Sequence, residues 1–484
     1  MAASPVLTHV VTTEREQVAA DLRGPGSILL ISCYELGHQP LGIASPLAFL
    51  ERAGYAPDAL DISVERLDVE KVARAHFVGV SVPMHTALRL GVQVAERVRQ
   101  INPGCHICLY GLYASLNADY LLDHIADSVI GGEFETPLVS LVQALEAGRS
   151  AAVEGVWRRG QPAGPFLKRL PFPVPSRSQL PALKRYAHLE QDGRLELAGY
   201  VEASRGCLHM CLHCPIPPVY GGRFFVVPRE IVLEDIRGLV RSGATHITFG
   251  DPDFLNGPSH SLSVLRAMHQ EFPELTFDFT AKVEHVLKCR ALFPELGALG
   301  CAFMVSAVES LSDTVLANLE KGHTRADVFE ALRIVRDAGF ALRPSWVPFT
   351  PWTTLEDYLD ILDFVETEDL VDHVDPVQCT IRLLVPPGSE LLDRPAIRPF
   401  LGPLDQASFM YPWTHPNPRM DELHKVVSGL VEQAVTSGED SRVTFQRIRE
   451  VAYTVAGKPP VPAVSLSPGN GESRPPRLTE SWYC

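Results

Sequence analysis

Two stretches of this chain alternate short apolar runs with amphipathic segments, and that alternation predicts parallel sheets covered by helices. The first stretch spans residues 26–150. Strands are expected at 27–32, 59–63, 77–82, 106–111 and 128–132, with helices at 43–53, 86–100 and 136–147. A sheet of this doubly wound kind binds its ligand beyond the carboxyl ends of its strands. Residues 151–197 then carry Pro162, Pro165, Pro171, Pro173, Pro175 and Pro181. Proline has no amide donor and fixes φ, so an extended connector is expected there.

Alternation resumes at Ala198. Strands fall at 198–203, 245–249, 276–281, 302–308, 342–347 and 377–384. One intervening helix, 228–242, has Glu230 in its first turn and Gly243 just past its end. Six strands with helices between them predict a partial (βα)6 barrel over 198–395. A small helical region follows over 396–456, with a helix at 420–437. Residues 457–484 are rich in Pro, Gly and Ser and end Trp482-Tyr483-Cys484, the composition of a flexible tail. The fold class expected is therefore α/β, a doubly wound domain followed by a partial barrel.

The length of 484 residues exceeds one ordinary domain, and 46% hydrophobic with 21% charged residues suffices for large cores. The formal charge is −15, with no basic run, so no nucleic-acid partner is expected. No stretch reaches the ~18 apolar residues of a membrane span, and no signal-peptide segment opens the chain. Ten scattered cysteines make no disulfide framework, and a reducing cytoplasm is the expected compartment.

The chemistry is concentrated in Arg205-Gly206-Cys207-Leu208-His209-Met210-Cys211-Leu212-His213-Cys214. Three thiolates on one short loop, spaced CxxxCxxC, suit three irons of a 4Fe–4S cluster and leave one iron open. A structural zinc site, the alternative, wants four ligands in paired groups, and no second pair lies nearby. A CxxxCxxC loop just after a strand resembles the radical S-adenosylmethionine (SAM) superfamily. The resemblance implies that the open iron holds the amino and carboxylate groups of SAM. An electron from the cluster then breaks a C–S bond of the sulfonium, supplied by a donor such as flavodoxin or ferredoxin.

Residues 26–150 resemble the cobalamin-binding domain that precedes many such barrels. The carrying residues are Gly131-Gly132-Glu133-Phe134-Glu135-Thr136 and Leu41-Gly42. The cobalt-ligating D-x-H-x-x-G is absent, since the loop reads Glu35-Leu36-Gly37-His38-Gln39-Pro40-Leu41-Gly42. His38 is read as a solvated loop histidine, with cobalt ligation the alternative. The domain either binds cobalamin or serves as a lid or substrate wall.

Sites in parallel barrels gather at the carboxyl ends of the strands. There Asp251 or Asp253 is expected to pair with the amino group of SAM, the alternative being an Asp-Pro turn that caps a helix. Lys282 would hold the cofactor carboxylate or a substrate anion, or lie solvated. Ser306 and Glu309 resemble the family's ribose-contacting turn, because a glutamate accepts from two hydroxyls. Arg343 and Arg382 are placed on the barrel interior, where a carboxylate would pair them. Tyr220 and Phe224 would stack on adenine or pack in the core. His209 and His213 would hydrogen-bond cluster sulfur or lie exposed. Cys33, Cys105, Cys108, Cys289, Cys301 and Cys379 read as buried thiols.

The cysteine loop and the Pro215-Ile216-Pro217-Pro218-Val219-Tyr220 run after it also resemble a subgroup with cysteine-bearing tails. That subgroup includes the enzyme forming the carbon–arsenic bond of arsinothricin. Here Cys484 stands alone rather than paired. A flexible ~25-residue segment has an r.m.s. reach of ~25–30 Å, enough to bring Cys484 to the barrel mouth as a soft ligand or nucleophile. The function expected is reductive cleavage of SAM and transfer of a methyl or 3-amino-3-carboxypropyl group to a small molecule. The alternatives are a non-catalytic iron–sulfur or cobalamin binding or sensor module, and a radical enzyme that modifies a peptide.

Overall fold

A computed structural model describes residues 21–459 and 474–480. The N-terminal sheet is built from β1 (Ile28–Ser32), β2 (Asp58–Asp61), β3 (Phe77–Ser81), β4 (His106–Tyr110), β5 (Ser128–Ile130) and the antiparallel edge strand β6 (Val156–Trp157), in the order β2-β1-β3-β4-β5-β6. β1 and β3 are buried along their whole length, as unbroken apolar runs in central parallel strands should be. Alternate residues feed two cores. Leu29, Ile31, Val78 and Val80 pack under helix His85–Ile101, and Ile28, Leu30 and Phe77 pack under helices Leu41–Arg52 and Glu135–Glu146. The strand order reverses between β1 and β3, so the ligand-binding switch point lies at the loops after these two strands.

The second sheet begins with a hairpin, β7 (His188–Gln191) and β8 (Arg194–Val201). Its turn is Asp192-Gly193, both at positive φ, the residue pair that a two-residue hairpin turn prefers. Part of the proline-rich segment is thus a packed strand rather than extended connector. A small antiparallel ribbon, β9 (Ser204–Gly206) with β10 (Phe224–Val226), frames the cysteine loop. Then come β11 (His246–Phe249), β12 (Thr276–Ala281), β13 (Cys301–Glu309) and β14 (Ala341–Trp346), all parallel to β8. A final short strand, β15 (Arg477–Leu478), adds to β7, giving the order β14-β13-β12-β11-β8-β7-β15.

The outer face of this sheet and its helices make the main core, around Phe249, Phe277, Phe279, Met304 and Leu342. Helices Pro418–Ser437 and Ser441–Ala456 join it through Leu423, Val427, Phe445 and Ile448. The segment read as a sixth strand is a 3-10 turn over Pro376–Thr380, followed by one parallel bridge between Phe349 and Arg382. Pro376, Pro386 and Pro387 flank this segment and lack amide donors, so its pairing cannot extend past them. Among the described residues no helix is long and apolar enough to cross a membrane.

Candidate active site

The cysteine loop leaves β9 through Gly206, whose φ is +74° and whose missing Cβ would overlap the Arg223 carbonyl and the Tyr220 ring. A side chain cannot be placed there without moving the loop. Cys207 and Cys211 are buried, 8% and 6% exposed, Cys214 is half-buried, and all three are free thiols. Burial pushes the Cys207 thiol up and the Cys214 thiol up to about 12, and neighbouring cysteine sulfurs reinforce both shifts. Asn256 Oδ1 accepts from the Leu208 amide at 3.2 Å, and the Leu212 amide donates to the Leu319 carbonyl at 3.1 Å. The loop is therefore held from both sides.

Lys321, only 2% exposed, is the cation of this region. Burial works against its charge, but Glu309 and the Cys211 and Cys214 sulfurs outweigh that and hold the ammonium above its usual range. Its Nζ lies 3.0 Å from Glu309 Oε1, and His213 Nε2 lies 3.3 Å from the same oxygen. Glu309 sits at φ +65°, a strained conformation for a non-glycine residue. Burial favours its neutral form, yet Lys321 and His213 keep it well below the usual carboxylate range. Sequence reasoning gave Lys321 no role, because its pairing to Glu309, 12 residues away, exists only in the folded chain. We expect Lys321→Met to make the cluster harder to reduce, lowering its one-electron potential by roughly 60 mV or more, about a decade in equilibrium constant. Redox titration followed by electron paramagnetic resonance checks this, and an unchanged potential would remove Lys321 from any electrostatic role.

The two expected SAM-binding aspartates have different settings. Asp251 accepts from the Ala203 amide at 2.9 Å and the Ser204 hydroxyl at 2.6 Å, lines a cavity in the barrel mouth, and is pushed up to about 7 by burial. Asp253 is 1% exposed and accepts from the Leu255 and Lys282 amides. His285 Nδ1 lies 2.9 Å and His209 Nε2 3.5 Å from Asp253 Oδ2. Burial opposes its charge, but these bonds hold it below the usual range. Lys282 is buried near Glu284, at 3.5 Å. The Ser306 hydroxyl donates to the Ala281 carbonyl at 2.9 Å.

The cavity measures about 110 Å³ and is lined by Tyr200, Thr248, Asp251, Asp278, Arg343 and Asp375, among others. Arg343 donates toward Asp375 at 3.3 Å, and burial lowers its pKa. Arg382 is placed elsewhere, stacked 3.6 Å over the Trp413 ring and paired with Asp421 at 2.7 Å. Cys484 lies outside the described residues.

Tyr220, expected at the adenine or in the core, instead joins the two domains, together with Arg205, Glu133 and Glu135 of the quoted motifs. Arg205 Nη1 is 2.7 Å from Glu135 Oε1 and 3.7 Å from Glu133 Oε2, and its Nε is 2.8 Å from Glu202. The Tyr220 hydroxyl donates to Glu133 Oε1 at 3.0 Å. Glu133 is fully buried and is pushed up to about 7 by that burial. Tyr220 is not among the cavity-lining residues, because its ring packs under Gly206 and its hydroxyl points to the N-terminal domain. His38 is 3% exposed and stacked on Tyr200 at 4.4 Å, with Nε2 unpartnered. The solvated reading is thus corrected, because β8 of the barrel covers its loop.

Family models match both halves, the B12 binding domain at residues 28–142 and the radical SAM superfamily at 201–365. The chain joins a B12-binding domain to a radical SAM domain. Hopanoid C-3 methylase of Methylococcus capsulatus is 26% identical over 325 residues, covering 65% of this chain and 62% of that protein. An uncharacterized methyltransferase of Pyrococcus horikoshii is 25% identical over 348 residues, covering 68% and 74%. The cobalamin-dependent radical enzyme OxsB, solved with aqua-cobalamin, superposes with a TM-score of 0.68 at 14% identity, over 84% of this chain and 67% of that one. The methyltransferase TsrM from Kitasatospora setae gives 0.56 at 19% identity, over 71% of each. These superpositions show the fold. The present chain spans about six-tenths of the hopanoid methylase.

A radical SAM domain implies a 4Fe–4S cluster and SAM, and a B12-binding domain implies cobalamin. The cluster fits, because three free thiols share one loop beside a buried ammonium. A corrinoid at the barrel mouth would need Leu478 and Glu480 displaced. Pockets for drug-sized ligands run to ~300–1,000 Å³ and a corrinoid is larger still, whereas the space at the barrel mouth is about 110 Å³ and is walled by Leu478 and Glu480.

Proposed function

We propose that this protein cleaves SAM reductively at a cluster held by Cys207, Cys211 and Cys214 and transfers a SAM-derived group, a methyl in the reading favoured here, to a small molecule. What supports the reading is that the cysteine loop leaves β9, which starts just after β8, the barrel strand whose Tyr200 lines the Asp251 cavity, and that Ser204 of β9 bonds Asp251. Two relatives whose names describe methyl transfer support the choice of group. The cluster, when bound, supplies the electron that opens a C–S bond. The chain's own residues orient and shield. In this reading Asp251, which lines the cavity, receives the ammonium of SAM, Lys321 offsets the negative charge of the thiolates, and Arg343 with Asp375 closes the far wall. Ser306 and Glu309 remain our candidates for the ribose and Lys282 for a carboxylate. A low-potential donor such as flavodoxin or ferredoxin supplies the electron in a reducing compartment.

The test is anaerobic reconstitution with iron and sulfide, then dithionite and SAM, with products identified by mass spectrometry. 5′-Deoxyadenosine together with S-adenosylhomocysteine supports methyl transfer. Methylthioadenosine above spontaneous decay, lost in Cys207→Ala, would move the reading to aminocarboxypropyl transfer. No cluster and no product would sink both.

A further inference from the structure

Residues 474–480 return to the barrel mouth. Arg477 lies opposite Glu190 and Leu478 opposite Leu189, so β15 extends the sheet past β7. The Thr479 amide donates to the His188 carbonyl at 2.8 Å, and the His188 amide donates to Thr479 Oγ1 at 3.0 Å. Ion pairs tie the same segment both to β7 and to the opposite margin of the half-barrel. Arg477 reaches Glu190 at 2.8 Å and Asp375 at 3.8 Å, and Arg474 reaches Asp440 at 2.5 Å and Asp372 at 3.6 Å. Leu478 packs with Leu189, Phe303 and Val305.

Glu480 ends this run on the other domain. Its Oε1 accepts from the Tyr34 hydroxyl at 2.9 Å, and its side chain lies against Gly37, where a Cβ would meet it at 2.6 Å. Tyr34 and Gly37 belong to the loop after β1, at the switch point where a doubly wound sheet takes its ligand. Leu478 and Glu480 therefore wall the cavity at the place a ligand of the N-terminal domain would use.

We propose that residues 474–480 are a displaceable strap that stands in the corrinoid's place, so that strap closure and corrinoid seating exclude one another. The proposal rests on the B12-binding reading of the N-terminal domain. The segment is built to release. Its ladder is two residues long, its arginines are about one-third exposed, and exposed ion pairs hold weakly. A closed strap lowers apparent affinity by the fraction of molecules that are open, which keeps the site shut until corrinoid is plentiful.

The experiment uses the cluster-loaded full-length protein and hydroxocobalamin. In the wild type, hydrogen exchange at the amides of Arg477 and Thr479, which face β7, should be slow without corrinoid and fast at saturation. Visible absorbance titration should show Arg477→Glu binding about tenfold more tightly than the wild type, with Glu480→Gln shifted the same way by less. Corrinoid binding with undiminished protection of these amides, and equal affinity in both variants, overturns the strap. Absence of corrinoid binding in all three proteins overturns the B12 reading and the strap with it, whereas binding without release overturns the strap alone.

Discussion

Cys207→Ala, reconstituted with iron and sulfide, lacks the 4Fe–4S absorbance band and cleaves SAM at least about a thousandfold more slowly, a loss of ~4 kcal/mol in transition-state stabilisation. In the proposed site three cysteines hold three irons, and among the described residues no neighbouring thiol is placed to replace one. Among the described residues the other cysteines lie in different elements, Cys33, Cys105 and Cys108 in the N-terminal domain and Cys289, Cys301 and Cys379 in the barrel region. Alanine in place of a buried thiol is a small volume change, so circular dichroism of the variant should match the wild type. Cluster content and SAM cleavage both at wild-type level would end the assignment of this loop.

Arg205→Ala is expected to cost about 3–5 kcal/mol, the range for removing one partner from a buried ion pair. The guanidinium serves Glu135 and Glu202 directly and Glu133 at longer range, and it lies over the Phe134 and Phe172 rings at 5.6 and 5.1 Å. Its loss strands Glu133 and Glu135, each already with one buried oxygen that has no hydrogen-bond partner. The damage should grow with pH. Glu133 has a folded-state value near 7 against 4.5 for a free glutamate, so the folded protein holds an extra proton in that window and loses stability as pH rises through it. Removing Arg205 raises that value further and extends the loss above pH 7. Urea unfolding at pH 5.5 and pH 8 measures both effects. A cost under ~1 kcal/mol at both pH values would show that the network is not what holds the domains together.

The parallel strands of both sheets were legible because each carries a short apolar run, and buried parallel strands leave no polar face to blur the signal, whereas the antiparallel edge strands β6, β7 and β15 were not read. The β7–β8 hairpin was not read, because six prolines upstream suggested a connector and outweighed Asp192-Gly193. The sixth barrel segment looked like a strand by composition, but its flanking prolines allow one bridge only. At the site, the cysteine spacing is local and could be read directly. Partnerships across the fold could not be. Lys321 with Glu309 are 12 residues apart and Arg205 with Glu135 are 70 apart, and only tertiary packing brings such charges together. His38 looked solvated because its loop is polar, and nothing in one sequence shows that Tyr200 covers it.

The placement of Arg205 bears on how such proteins can be recombined. One three-residue strand carries the residue that anchors the N-terminal domain and leads directly into the first cluster cysteine. The halves are therefore not interchangeable parts. A hybrid that takes a foreign N-terminal domain inherits a barrel whose cluster loop expects two acidic partners. Such a hybrid should assemble its cluster only if Glu133 and Glu135 travel with the domain, or if Arg205 and Tyr220 are replaced together to suit the newcomer.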